Sequence, residues 1–310
     1  MRRLVNLDIR EERFDVLKEQ LLRDLRNRSK DRPFQQVYGR LMDELVSSAW
    51  PAPELIAQIE YITRDALMRW RDELFKRVSI RALVHGNVED DKAESLKELI
   101  SKHIPLAKVT DSTPLVSDIL GGSEVALDID HNDAAMILYI QDESASLGAR
   151  ARSALFTHMV ASDYFSSLRT EQQLGYVVSA MNPVFYEQGG VGFLVQSPVA
   201  GPFQLKTQTR LFLEAQDARF AEMGEEEFDA NRSGLIAKLM QRDKNLGQRA
   251  QRYWSELDRG ITTFDAKQQM ANMVSKLNKE DMVSYLDRII SLFDTDYLFI
   301  YSAGKLSLAH

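Results

Sequence analysis

Arg169 and Tyr176 stand seven residues apart in the stretch Tyr164-Phe165-Ser166-Ser167-Leu168-Arg169-Thr170-Glu171-Gln172-Gln173-Leu174-Gly175-Tyr176-Val177-Val178. A guanidinium offers five N–H donors and a phenol one O–H, a combination suited to holding peptide carbonyls or a tetrahedral oxyanion. Removing one such donor typically costs about 2.7–4 kcal/mol of transition-state stabilisation. Phe156, Met159, Val160 and Leu168 fall on one helical face, Gly175 permits a turn, and a strand begins at Tyr176. Arg169 is therefore expected at a helix end and Tyr176 at a strand entrance, on one rim. Arg and Tyr at a helix–strand corner are more often a structural hydrogen-bonding pair than a substrate clamp. Spacing alone does not choose.

Other chemistries lack their residues. The five histidines are His85, His103, His131, His158 and His310, and none belongs to His-x-x-Glu-His or His-Glu-x-x-His. His85 is expected at a strand end, His131 in a turn and His158 on a helix beside the core, so no metal ligand is assigned. With no cysteine, disulfides and thiolate metal sites are excluded. There is no glycine-rich phosphate loop, no Gly-x-Gly-x-x-Gly and no Gly-x-Ser-x-Gly elbow. Thirty-nine basic against 46 acidic residues give a net charge of −7, which argues against nucleic-acid or anionic-membrane partners. Arg69, Arg71, Lys76 and Arg77 alternate with Asp72 and Glu73, the pattern of a solvated mixed-charge helix face. Trp50, Trp70 and Trp254 are expected to pack.

The elements that must position Arg169 and Tyr176 follow from periodicity. Phe14, Leu17, Leu21 and Leu25 predict an amphipathic helix over 8–28, and Phe34, Val37, Leu41 and Leu45 repeat the pattern. After Trp50-Pro51-Ala52-Pro53 a helical stretch spans about 54–77, in two pieces around Thr63. A strand is predicted at 78–84 and a helix at 89–103, then a linker from Pro105 to Gly122. One strand cannot make a sheet, so the sheet of this first region is expected upstream of Met1, itself taken as a fragment boundary. Beyond the linker, strands are predicted at 124–130, 134–141, 175–186, 191–197 and 296–302, with helices at about 144–169, 203–222, 225–242, 246–259 and 279–291. Turns at 130–133 and 187–190 would join the strands as hairpins. The fold class is α+β: an antiparallel sheet with packed helices over 113–310, preceded by a mostly helical, incomplete region over 1–112.

The run Leu168-Arg169-Thr170-Glu171-Gln172-Gln173-Leu174-Gly175-Tyr176-Val177-Val178 resembles a signature of the C-terminal half of the insulinase/pitrilysin family of zinc metallopeptidases. Phe14-Asp15-Val16-Leu17-Lys18-Glu19, Ala82-Leu83-Val84-His85-Gly86-Asn87, Leu138-Tyr139-Ile140-Gln141, Val195-Gln196-Ser197 and Arg252-Tyr253-Trp254 occur in the family's order. The resemblance implies four related α+β domains in two halves around a chamber, with 1–112 from the third domain and 113–310 the fourth. It implies a Zn2+ held by the N-terminal half through an inverted His-x-x-Glu-His motif, and no metal in this chain. Arg169 and Tyr176 would contact peptide substrate across the chamber, with Val195, Gln196 and Ser197 as further substrate-binding candidates. Expected partners are the N-terminal half and peptides, with self-association of the isolated chain. Bacterial relatives suggest the periplasm. Two alternatives stay open: a noncatalytic scaffold of the same fold, and an isolated peptide-binding module using a free sheet edge.

Overall fold

The computed structural model describes residues 7–76, 78–104, 106–107 and 114–305. Arg77 and part of the expected linker, 105 and 108–113, lie outside the described residues. In chain order the elements are α1 (Glu11–Asn27), α2 (Pro33–Leu45), α3 (Ala52–Tyr61), α4 (Arg64–Leu74), α5 (Asp90–His103), β1 (Ser123–Ala126) and β2 (Ala134–Gln141). There follow α6 (Leu147–Phe165), a π-helical turn (Ser166–Glu171), β3 (Val177–Met181), β4 (Gly190–Ser197), α7 (Pro202–Glu222) and α8 (Glu225–Leu239). The chain ends in α9 (Leu246–Asp258), α10 (Ala266–Val274), α11 (Lys279–Leu292) and β5 (Leu298–Ser302). It forms two compact units, one of residues 1–30, 50–113 and 243–264, the other of 31–49, 114–242 and 265–310. The units change over near 113, while α2 and α9 each join the unit on the far side of a division at 112 and 113.

The larger unit is built on a five-stranded sheet in the order β1-β5-β2-β4-β3. β2 and β4 are buried along their whole length, because both faces of the sheet are covered. Period-two alternation sends Met136, Leu138 and Ile140 into one apolar cluster and Ala135, Ile137 and Tyr139 into the other. The first cluster also takes Phe156 and Val160 of α6, Leu205 and Leu213 of α7, Phe228 of α8 and Leu286 of α11. The second is closed by Val37, Leu41 and Leu45, the apolar stripe of α2.

The structure departs from expectation in the sheet. The turn at 130–133 joins no hairpin, since β5 lies between β1 and β2. β1 is largely exposed and suits an edge, whereas β5 is almost wholly buried and takes the inner place. The β1–β5 pairing is parallel, so the sheet is mixed, with its other three pairings antiparallel. Periodicity does not predict α10; its nine residues bury only Ala271 and Val274, too few to leave a signal.

In the smaller unit α1 packs against α3, and Lys18 Nζ donates to the carbonyls of Glu60 and Ile62 at 2.9 and 2.8 Å, taking up acceptors at the end of α3. Thr63 divides the predicted 54–77 stretch: its hydroxyl accepts from Ala66 N at 3.2 Å and starts α4. A further correction falls at 78–84, where the only ladder contact among the described residues at that segment is a single Val78–Leu106 bridge, so no strand forms. Arg252 donates to Asp243 Oδ2 at 3.0 Å and to Glu256 at 2.8 Å. The His85 ring lies edge-on to Tyr253 at 5.1 Å, and its Nδ1 is buried without a hydrogen-bond partner. The tryptophans do not pack deeply: Trp50, Trp70 and Trp254 are 58%, 60% and 44% exposed. No helix among the described residues is long and apolar enough to cross a membrane.

Candidate functional site

α6 begins at Ser146, whose hydroxyl accepts from Ala149 N at 3.1 Å, and buries a face that includes Phe156, Met159, Val160 and Tyr164. Its last turn widens into the π-helix, where Gln172 N donates to Ser167 O at 3.0 Å and Leu168 stays fully buried. Gln173 then takes a positive φ of 54°, and Leu174 N donates back to Leu168 O at 2.8 Å. A Cβ on Gly175 would stand 2.6 Å from Gln196 O, so only glycine lets the chain pass this close to β4. Tyr176 N reaches Gln196 O at 3.2 Å and opens the β3–β4 ladder.

This path brings Arg169 and Tyr176 together. Arg169 Nη1 donates to the Tyr176 carbonyl at 2.8 Å, and its guanidinium lies 5.0 Å from the centre of the Phe165 ring. Its other N–H groups have no protein partner among the described residues. The Tyr176 ring is 42% exposed, but its hydroxyl is engaged: Oη donates to Asp133 Oδ2 at 2.6 Å and accepts from Gln196 Nε2. Gln196 Nε2 also reaches Asp133 Oδ2 at 2.8 Å, while its Oε1 accepts from Phe34 N at 3.1 Å. Desolvation and then the neighbouring Asp133 carboxylate push the Tyr176 phenol up to about 12, against an opposing effect of Arg32. Tyr176 is thus a neutral phenol at ordinary pH.

Asp133 is the hub that sequence reasoning misses. The sequence marks it only as part of a turn, and nothing in Asp130-His131-Asn132-Asp133 announces a partner 43 residues away. Val195, Gln196 and Ser197 sit in β4 with side chains no more than 1% exposed. β4 pairs with β2 on one side and β3 on the other, through Val195 and Gln196 on both. A peptide strand has no edge to join there, and the Gln196 side chain serves the Tyr176 corner from inside. The outer strands of the sheet are β1 and β3.

A second polar cluster lies in the same unit. Asp142 Oδ1 accepts from Tyr285 Oη and Oδ2 from Ser153 Oγ, both at 2.7 Å, and Asn182 Nδ2 donates to Ser153 Oγ at 3.0 Å. Burial raises the Asp142 carboxyl to about 6, although both hydrogen bonds favour its charged form. These groups satisfy one another and act as a structural network. No group of three or more His, Asp or Glu able to hold a metal occurs among the described residues, so these residues do not fit a zinc ion. His158 sits in α6, and a Cβ on Gly234 would approach its Nε2 at 3.3 Å. His103 closes α5, and His310 lies outside the described residues.

Residues 155–254, which include the Arg169–Tyr176 corner, match the family model for the PQQ synthase PqqF-like, C-terminal lobe domain 4. The chain is 25% identical to insulin-degrading enzyme-like 2 of Arabidopsis thaliana over 310 residues, covering 94% of this chain and 32% of that protein. The crystal structure of pitrilysin superposes over 97% of this chain with a TM-score of 0.83 at 20% identity, and 32% of that chain is covered. Relatives and solved structures of the insulinase/pitrilysin family are thus similar to this chain along nearly its whole length. The matched model describes a C-terminal lobe domain, and the chain spans about a third of the length of the curated relatives it matches. The fold is also shared by a peptidase M16 inactive domain from Pseudomonas fluorescens, with a TM-score of 0.64 at 12% identity over 94% of this chain and 70% of that one.

Proposed function

We propose that this chain is the substrate-enclosing lobe of a zinc-dependent metalloendopeptidase of the insulinase family and is inactive alone. The zinc and its ligands belong to the N-terminal half of the enzyme, and this lobe contributes donors that hold the peptide. The observation that carries the reading is the Arg169 guanidinium, anchored by one N–H to the Tyr176 carbonyl and otherwise without a protein partner among the described residues. An anchored, exposed guanidinium suits a peptide carbonyl or developing oxyanion, because its orientation is fixed before the ligand arrives. Tyr176 contributes its exposed ring and positions the corner; its O–H is already given to Asp133.

The test is complementation. Mixing the chain with the matching N-terminal half should restore peptide cleavage that neither part shows alone. Arg169→Ala should lower the restored kcat/KM by about 10²–10³-fold, and Tyr176→Phe by much less. Unchanged turnover in Arg169→Ala would overturn the assignment. A second reading, a noncatalytic scaffold, is favoured by the engaged Tyr176 hydroxyl and by the inactive M16 domain that shares the fold. Complementation that restores no cleavage under any partner concentration would select it.

A further inference from the structure

The π-helical turn opens a cavity of about 400 Å³ against α7, within the size range of ordinary ligand sites. Its apolar floor is Leu211 and Phe212, and around it stand Asp163, Glu171, Ser166 and Gln216. The polar groups are unevenly satisfied. At one wall the chain's own Arg219 is taken by the Asp163 carboxylate and by Gln216 Oε1, the latter at 3.2 Å. That wall already accepts a guanidinium. The Glu171 carboxylate and the Ser166 hydroxyl, which also line the cavity, have no partner among the described residues. Gln216 is only 6% exposed, lines the cavity, and leaves its Nε2 donor without an acceptor among the described residues. A donor on the wall of an open cavity, with its own carbonyl oxygen already engaged, is available to a ligand carbonyl.

The geometry points to a subsite for one basic side chain, lysine or arginine, of a bound peptide. The aliphatic stem of such a residue would lie on Leu211 and Phe212, and its cationic head would reach Glu171 and Ser166. A backbone carbonyl beside that side chain would accept from Gln216 Nε2. An acidic side chain is disfavoured by the unpaired Glu171 carboxylate, and a purely apolar one would leave Glu171 and Gln216 unpaired. The inference rests on the peptide-handling reading above and adds a preference to it. The subsite makes no use of the Arg169 guanidinium.

The test titrates the 310-residue protein at low salt with a labelled unstructured peptide carrying one arginine, and with the same peptide carrying citrulline, its neutral isostere. The arginine peptide should bind about fivefold tighter, the discrimination expected of one partly exposed ion pair. Glu171→Gln should bring it down to the citrulline level, and Ala215→Trp, at an exposed position on the cavity wall, should weaken it without lowering the thermal midpoint. Equal affinities in the parent, no saturable binding of the arginine peptide, or an arginine preference surviving both substitutions would overturn the subsite. Arg169→Ala separates the two claims. Loss of complemented cleavage without any arginine preference leaves the peptidase lobe standing and removes the subsite. An arginine preference that persists while Arg169→Ala cleaves normally keeps the subsite and removes the role of Arg169.

Discussion

The two units meet the same demand, covering apolar helix faces, with different means. In the larger unit a sheet runs through the middle, and the stripes of α2, α6, α7 and α11 all close on strands or on one another, giving two separate clusters. The smaller unit has helices and no sheet among the described residues. Its buried apolar residues are Phe14, Leu22, Leu25, Ile100 and Ile104, whereas Leu17, Leu21, Tyr61, Ile62 and all three tryptophans remain exposed. A helix has one apolar stripe and needs a surface to receive it. The sheet supplies that surface in one unit, and in the other part of the α1 stripe stays in solvent.

The largest expected effect sets the two cores side by side. Phe156 is fully buried and packs against Phe220 and Tyr285, with ring centroids 6.0 and 5.3 Å away. Phe156→Ala should lower stability by about 3–5 kcal/mol, through lost burial and the cavity left behind. Leu22, 8% exposed in the smaller unit, belongs to neither of the two large apolar clusters, so Leu22→Ala should cost about 1–2 kcal/mol, below the usual core range. Urea unfolding followed by circular dichroism measures both. Equal losses would break the comparison.

How much of this is legible depends on how local each feature is. The helix expected from Phe14, Leu17, Leu21 and Leu25 forms, yet only Phe14 and Leu25 of that stripe are buried and Leu22 joins them, while the strand at 134–141 and the break at Thr63 are local and fall where expected. Pairing partners are not. β1 and β5 meet across Ser123 and Leu298, separated by most of the larger unit, and no local pattern distinguishes that parallel edge from the hairpin expected at 130–133. The stripe of α2 is visible as Val37, Leu41 and Leu45, but its receiving surface on Ile137, Leu194 and Ile300 lies far along the chain. At the site, the helix–turn–strand path from Leu168 to Tyr176 can be read because Gly175 marks the close approach. The Asp133 hub cannot, since a turn aspartate looks the same whether or not a phenol reaches it.

An intermediate effect tests how closed the larger unit is. The Asp142 carboxyl is raised from 3.8 to about 6 by burial. The folded state therefore binds this proton more tightly than the unfolded chain. Its contribution is fully present below pH about 4 and is lost as pH rises through about 6. It amounts to roughly 3 kcal/mol at most, since each tenfold gain in proton affinity is worth about 1.4 kcal/mol. Asp142→Asn keeps a neutral partner for Tyr285 and should flatten the stability profile between about pH 4 and pH 7, read from urea midpoints. A profile of the variant as steep as the parent's would show that the pH dependence comes from other groups and that the Asp142 pocket is wetter than its 4% exposure implies.

The smallest effect on folding carries the sharpest test of the smaller unit. Leu17 and Leu21, 42% and 48% exposed, line an apolar cleft with Phe14, Ile59, Ile62 and Leu67. In a monomer Leu21 gains little from burial, so Leu21→Glu should change stability by no more than about 0.5 kcal/mol. If the uncovered stripe is a surface awaiting a partner, the isolated chain should self-associate through it, because apolar area left in water favours contact. Sedimentation velocity across a concentration series should show a rising weight-average coefficient for the parent and a flat one for Leu21→Glu. Arg23→Glu, on the same helix but 58% exposed in its side chain and paired with Glu19, adds charge without touching the stripe and should leave association nearly as in the parent. A variant that loses several kcal/mol at Leu21 would mean that α1 is packed as tightly as the helices on the sheet, and the contrast between the units would reduce to one of size.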